Sequence, residues 1–228
     1  MLQLIVNGEA VSVQFRENPR ARRMVMRLDP SGEGLIITMP RRASREKALA
    51  FAQSHSEWVR EKLRAQPKRL VFCHGARFLY RGEEIEIVHE IGKRQAGRLE
   101  GQQLYIGGQP EHLRRRMHEW LKARAREYLH EAVQFYAARM GVKPGKITLR
   151  DTQSRWGSCS PDGALSFSWR LIFAPAHVLE YVAAHEVAHL LELNHGPRFW
   201  AHVEKHFPEH QKARDWLKTD GAHLHLIG

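Results

Sequence analysis

Three histidines and a glutamate fall within eleven residues of one another near the end of the chain: His185, Glu186, His189 and His195. Residues four apart in a helix share a face one turn apart, so His185 and His189 stand side by side. Glu186 then lies about 100° around from His185. Two imidazoles and an adjacent carboxylate are the parts needed to hold Zn²⁺ and deprotonate its water. The pattern His185-Glu186-x-x-His189 therefore points to metal-dependent hydrolysis, with two metal ligands and Glu186 as general base. The five-residue pattern also arises on ordinary helices. Here Ala183, Ala184, Val187, Ala188, Leu190 and Leu191 make the helix apolar around the polar trio. A buried polar trio needs partners, and a metal provides them.

His195 is the preferred third ligand. On a continued helix it would point roughly 80–120° away from the first two. It converges with them only if the chain turns first, and Asn194-His195-Gly196-Pro197 is turn chemistry. Glu192 is the main rival, one turn beyond His189 on the same face, and Glu204 a more distant one, since carboxylates also ligate zinc. If it is no ligand, Glu192 orients a ligand histidine or faces solvent. His202 and His206 form a second pair four apart, but their nearby carboxylate, Glu204, is on another face; both read as partly exposed. His223 and His225 read as a frayed tail. Cys159 reads as a small buried residue, and Trp156 and Trp169 as core. Arg155 fits either an oxyanion or carboxylate contact or a surface ion pair.

The elements that must position these residues are a mixture of strands and helices. Alternating segments from Leu2 to Met39 read as strands, with a turn at Asp29-Pro-Ser-Gly32. Ser44 caps one long helix that reaches Gln66 before Pro67. Arg77–Tyr80 and Glu84–Val88 are further strands. Gly107-Gly-Gln-Pro110 is the expected domain boundary, and a long helix runs from Glu111 to Met140. Lys146–Arg150 and Ala164–Phe173 are strands, with Pro161-Asp-Gly163 as the turn before the second. The helix carrying the histidines is expected from Pro175 to Asn194, followed by helices at Pro197–Phe207 and Glu209–Lys218. No internal repeat is visible.

The chain has 228 residues, 36 Lys and Arg against 25 Asp and Glu, and a formal net charge of +11. That balance suits an acidic partner such as nucleic acid or nucleotide, or is a basic surface without a single purpose. The excess is spread along the chain, richest at Arg16–Arg27, Pro40–Arg45 and Leu113–Arg126, and none of these runs interleaves the aromatics of a single-strand binder. Two cysteines, Cys73 and Cys159, make no disulfide framework, so a reducing cytoplasm is expected. No apolar run reaches the length of about 18 residues that spans a membrane. The first residues read as a strand rather than a signal peptide.

On these residues the C-terminal half resembles the YgjP-like metallopeptidases, relatives of the SprT-like and WLM zinc proteases. The matching pieces are RWGSCS at Arg155–Ser160, WRLIFAP at Trp169–Pro175, YVAAHEVAHLLELNHGPRFW at Tyr181–Trp200 and the ending HFPEHQKARDWLK. The stretch RARRMVMRLDPSGEGLIITMPRRAS and the helix after it extend the resemblance over nearly the whole chain. The resemblance implies zinc bound by His185, His189 and His195, with Glu186 as base. Ser168 departs from it, because an asparagine is expected before the tryptophan. The histidine spacing equals that of metzincins, but Glu192 stands where those have glycine.

The expectation is an α+β protein: a basic β-rich N-terminal domain over 1–109 with one long helix, then a helical zincin-like metallopeptidase domain over 110–228 with a small antiparallel sheet. A peptide or protein substrate would add beside the strand at Arg155–Ser160. Two other functions fit parts of the sequence. A nucleotide phosphohydrolase (pyrophosphatase) would use the same hydroxide, but carboxylates for two-metal chemistry and a phosphate-cradling glycine loop are lacking. A basic nucleic-acid-binding protein with a structural zinc would normally need a fourth protein ligand. The sequence leaves the oligomeric state open.

Overall fold

The computed structural model describes residues 2–6, 9–29, 34–65 and 69–228. The chain divides into two units, Met1–Arg69 and Leu70–Gly228.

In the first unit, β1 (Leu2–Val6), β2 (Glu9–Glu17), β3 (Val25–Leu28) and β4 (Gly34–Met39) form one sheet in the order β1-β2-β4-β3. β1 and β2 are antiparallel, β2 and β4 parallel, and β3 and β4 antiparallel. Period-two alternation turns Val11 and Val13 of β2 and Leu35, Ile37 and Met39 of β4 inward. Ala48, Ala52 and Val59 close this core from the helical side. Ser44 caps the first helix as expected, its Oγ accepting from the Lys47 amide at 3.3 Å. The single helix expected over Ser44–Gln66 is instead α1 (Arg45–Ser54) and α2 (Ser56–Ala65), separated at His55. The Ser54 hydroxyl donates to the Phe51 carbonyl, and His55 Nδ1 lies 2.9 Å from the same oxygen. Side chains that engage the backbone locally in this way weaken a helix. Of the turn expected at Asp29-Pro-Ser-Gly32, residues 30–32 lie outside those described.

The second unit opens with the same arrangement. β5 (Arg77–Tyr80), β6 (Glu83–Ile91), β7 (Arg98–Glu100) and β8 (Gln103–Gly108) take the order β5-β6-β8-β7, with an antiparallel, a parallel and an antiparallel pair. The helix α3 (Leu113–Met140) follows. Met117, Leu121, Ala125, Leu129 and Val133, every fourth residue, are fully buried, and Ile87, Leu104 and Ile106 of the sheet belong to the same core. The indole N–H of Trp120 donates to the Gly97 carbonyl at 3.0 Å. The sheet over 77–108 thus packs with α3 within the second unit. The glycines at 107 and 108 mark a close approach and a positive φ at the end of β8. A Cβ on Gly107 would lie 2.4 Å from the Lys93 carbonyl oxygen, and Gly108 has φ +120.

Beyond α3, a three-stranded sheet of β9 (Ile147–Arg150), β10 (Gly157–Cys159) and β11 (Leu165–Ser168) has the order β10-β11-β9. It is mixed rather than antiparallel. β10 runs antiparallel to β11, but β9 is parallel to β11, because the chain doubles back through β10 before β11 forms. The strand expected to reach Phe173 stops at Ser168, and Trp169–Phe173 is a fully buried 3-10 helix. Then come α4 (Ala176–Ala188), α5 (Pro197–His206) and α6 (His210–Thr219).

The C-terminus is not frayed. Gly221–Leu226 is a 3-10 helix with Leu224 and Leu226 buried. Buried Arg170 holds it, with Nη1 donating to the carbonyls of Leu224 at 3.1 Å and Ile227 at 2.7 Å. Its Nε donates to Asp151 Oδ1 at 2.6 Å. His225 stacks on Trp156, ring centroids 4.9 Å apart. The architecture is α+β, and among the described residues no helix is long and apolar enough to cross a membrane.

Candidate metal centre

Helix α4 is largely apolar: Val178, Val182, Ala183, Ala184, Val187 and Ala188 are buried between neighbouring elements. Its second half is interior, and there His185, Glu186 and the C-cap His189 stand out chemically. It ends at Ala188, with His189 as its C-cap. The helix expected to reach Asn194 is therefore shorter. The amides of Leu190 and Leu191 bond to the carbonyls of Val187 and Ala188, and the chain then turns back. This earlier turn carries His195 to the other two histidines.

One ring nitrogen each from His185, His189 and His195 lie within 4.8 Å of one another. His195 Nε2 is 3.0 Å from His185 Nε2. Two nitrogens each ~2.0–2.1 Å from a tetrahedral ion are about 3.3 Å apart, so the His185–His195 pair is close to the spacing of a metal cage. The remaining ring nitrogens of two histidines are engaged. Tyr181 Oη lies 3.2 Å from His185 Nδ1, and the Glu192 carbonyl oxygen lies 3.0 Å from His189 Nδ1. Such contacts fix ring orientation and tautomer and leave the other nitrogen for a ligand. Burial, then the neighbouring His189 and His195, push the His185 pKa down to about 3. Burial also lowers that of His189, against the opposing effect of its bond to Glu192. Neutral imidazoles are what a divalent metal requires, so the residues fit the group.

Phe199 of α5 is fully buried beneath the three imidazoles, its centroid 4.8 Å from those of His185 and His195 and 4.4 Å from that of His189. Glu186 is buried against β10. A Cβ on Gly157 would lie 2.5 Å from Glu186 Oε1, so only glycine lets the strand approach so closely. Burial raises the Glu186 pKa to about 8, opposed by the charge of Arg155. β10 is an edge strand of its sheet, next to this carboxyl group.

The other candidates fall elsewhere. Glu192 contributes its carbonyl, while its carboxylate is 3.9 Å from Arg198 Nη1. Glu204 is exposed, and His202 and His206 join no ligand group among the described residues. Burial, followed by the charges of Glu186 and Asp162, raises the Cys159 pKa, which keeps the thiol protonated. Trp169 is core, as expected, whereas Trp156 is half-buried under His225. Arg155 is exposed and forms no ion pair among the described residues. Tyr181, Phe199 and Gly157 were not singled out from the sequence. Tyr181 carried a signal, four residues before His185 on the same helix face. Phe199 and Gly157 come from other elements and carried none.

Three converging imidazoles beside a buried carboxyl group are the set of side chains that a metallohydrolase centre requires. The sequence matches the family described as YgjP-like, metallopeptidase domain, over residues 22–220, and the chain belongs to that family. It is thus a metallopeptidase by family, a class that uses a divalent metal. Among solved structures, the chain is similar to the metallopeptidase zymogen of Methanocaldococcus jannaschii jannalysin, at 16% identity and a TM-score of 0.36, over 40% of this chain and 87% of that one. No curated protein matches the chain.

Proposed function

We propose that the protein hydrolyses peptide bonds with zinc held by His185, His189 and His195 and with Glu186 as general base. The observation that carries this reading is the convergence of three imidazole nitrogens within 4.8 Å, one residue from a buried carboxyl group. What zinc supplies there when bound is Lewis acidity, which polarises a carbonyl and acidifies water. Glu186 accepts the proton of the attacking water as the C–O bond forms, and returns it to the amine nitrogen as the C–N bond breaks. Its burial against Gly157 keeps bulk water from competing for that proton. The substrate lies along the free edge of β10, adding a strand by main-chain hydrogen bonds that place the scissile carbonyl at the histidines. Tyr181 and the Glu192 carbonyl hold the ligand rings in place.

Glu186→Gln removes the proton acceptor and keeps the side chain's shape. Turnover of a fluorogenic peptide library should fall by at least about 100-fold while bound zinc, measured by mass spectrometry, stays equimolar. Turnover retained in that variant would remove Glu186 from the role.

A further inference from the structure

We infer that the unit Met1–Arg69 binds single-stranded nucleic acid, with phosphates held by arginines at one end of its sheet and bases stacked in the adjoining aromatic groove. The inference rests on this unit alone and not on the metal centre.

The charge is concentrated there. Residues 1–69 carry 14 Lys and Arg against 7 Asp and Glu, a net +7 of the chain's +11. The fold sharpens this concentration. Because β2 and β4 are parallel, with Glu17 beside Met39, the segments following them leave the same end of the sheet. The Asn18 amide bonds to the Met39 carbonyl at 3.0 Å, tying the two segments together. Arg20, Arg22 and Arg23 on one segment thus gather with Arg41 and Arg42 on the other. All five are exposed, and none has an ion-pair partner among the described residues. The five guanidinium groups outnumber the Glu17 carboxylate at that end and repel one another, and a polyanion relieves that repulsion. Each is also shaped for bidentate contact with phosphate.

The second observation is a groove of about 290 Å³ beginning at Arg23. Met24, Val25 and Met26 line it from the edge strand β3 and its approach, and Phe51, His55 and Trp58 from α1 and α2. The rings of Phe51 and His55 are 4.6 Å apart. Aromatic faces beside arginines are what single-strand binders use, because every base has a π-face and the backbone follows the charge. The arginine-rich runs contain no interleaved aromatics; the helices supply them across the sheet edge. An acidic polypeptide would match the charge and leave the aromatic walls without stacking partners. A duplex would keep its bases out of the groove.

The test uses the full-length protein and a fluorescein-labelled oligothymidylate of about 12 nucleotides, followed by anisotropy. If about five phosphates are neutralised, binding weakens roughly 100-fold between about 50 and about 200 mM salt. The double variant Arg22→Glu/Arg23→Glu should lose at least about 30-fold in affinity, while Arg126→Glu on α3, an exposed charge reversal elsewhere, should stay within about threefold. Quenching of tryptophan emission by the oligonucleotide should disappear in Trp58→Phe. Four results would overturn the inference: no binding at the lower salt; equally tight binding of a duplex or of poly-glutamate of matched charge; equal loss in Arg126→Glu; or quenching that survives Trp58→Phe.

Discussion

Gly157 shows how narrow the tolerances are around Glu186. A methyl group there would sit 2.5 Å from Oε1 and 2.6 Å from Cγ of the glutamate, inside any real contact distance. Gly157→Ala must therefore push the carboxyl group aside without touching a histidine. The expected outcome is a fall in kcat of about 100-fold at unchanged metal content, the cost of misplacing a reacting group by about 1 Å. An unchanged kcat would show that Glu186 can act from a different position. At this scale the sequence was informative about the histidines and Glu186, because four-residue spacing on an apolar helix is a local signal. It was silent about Phe199, whose ring meets the imidazoles from another helix. It also pointed to the Glu192 side chain where the carbonyl does the work. A main-chain acceptor has no sequence signature.

Single elements show where periodicity stops being a guide. Leu190, Leu191 and Leu193 continue the apolar pattern of α4, yet the helix ends at Ala188, and Leu191 and Leu193 are 39% and 57% exposed. A run that is apolar on all sides fits a continuing helix and a turn equally well, and the bond between His189 and the Glu192 carbonyl decides for the turn. Trp169–Phe173 misleads in the same way, as a fully buried 3-10 segment that reads as strand. Within it Arg170 anchors the C-terminal segment, and its energetic role is measurable. Burial alone would raise the Asp151 pKa, but the hydrogen bond and charge of Arg170 bring it below its ordinary value. A carboxylate whose folded pKa is depressed adds stability that is complete above its unfolded pKa and is lost as pH falls through the folded value. The Asp151–Arg170 contribution should thus be intact above about pH 4 and be lost progressively as pH falls below it. Arg170→Ala should cost roughly 2–3 kcal/mol in denaturant unfolding at neutral pH, discounted because Asp151 is half-exposed, and less in acid. An equal cost at both pH values would mean that the carbonyl contacts alone hold the segment.

The whole molecule repeats itself in a way the sequence does not display. Both units begin with four strands in the same order and the same pairing senses, followed by helix. Strand order is a long-range property, and the side chains filling the two sheets differ, so no periodic motif betrays it. The glycine-rich stretch at 107–110 marks the passage from β8 to α3, a boundary between elements that turn chemistry makes legible. The α+β class was legible from alternating and helical periods, whereas the parting at 69/70 depended on which helix covers which sheet.

The proposed zinc site stands on His185, His189 and His195 binding one ion together. Metal analysis of freshly purified protein, wild type beside His185→Ala, should therefore find one zinc per wild-type chain and none in His185→Ala, with folding preserved by circular dichroism. A wild-type chain without zinc, or a His185→Ala chain that keeps it, would rule the site out.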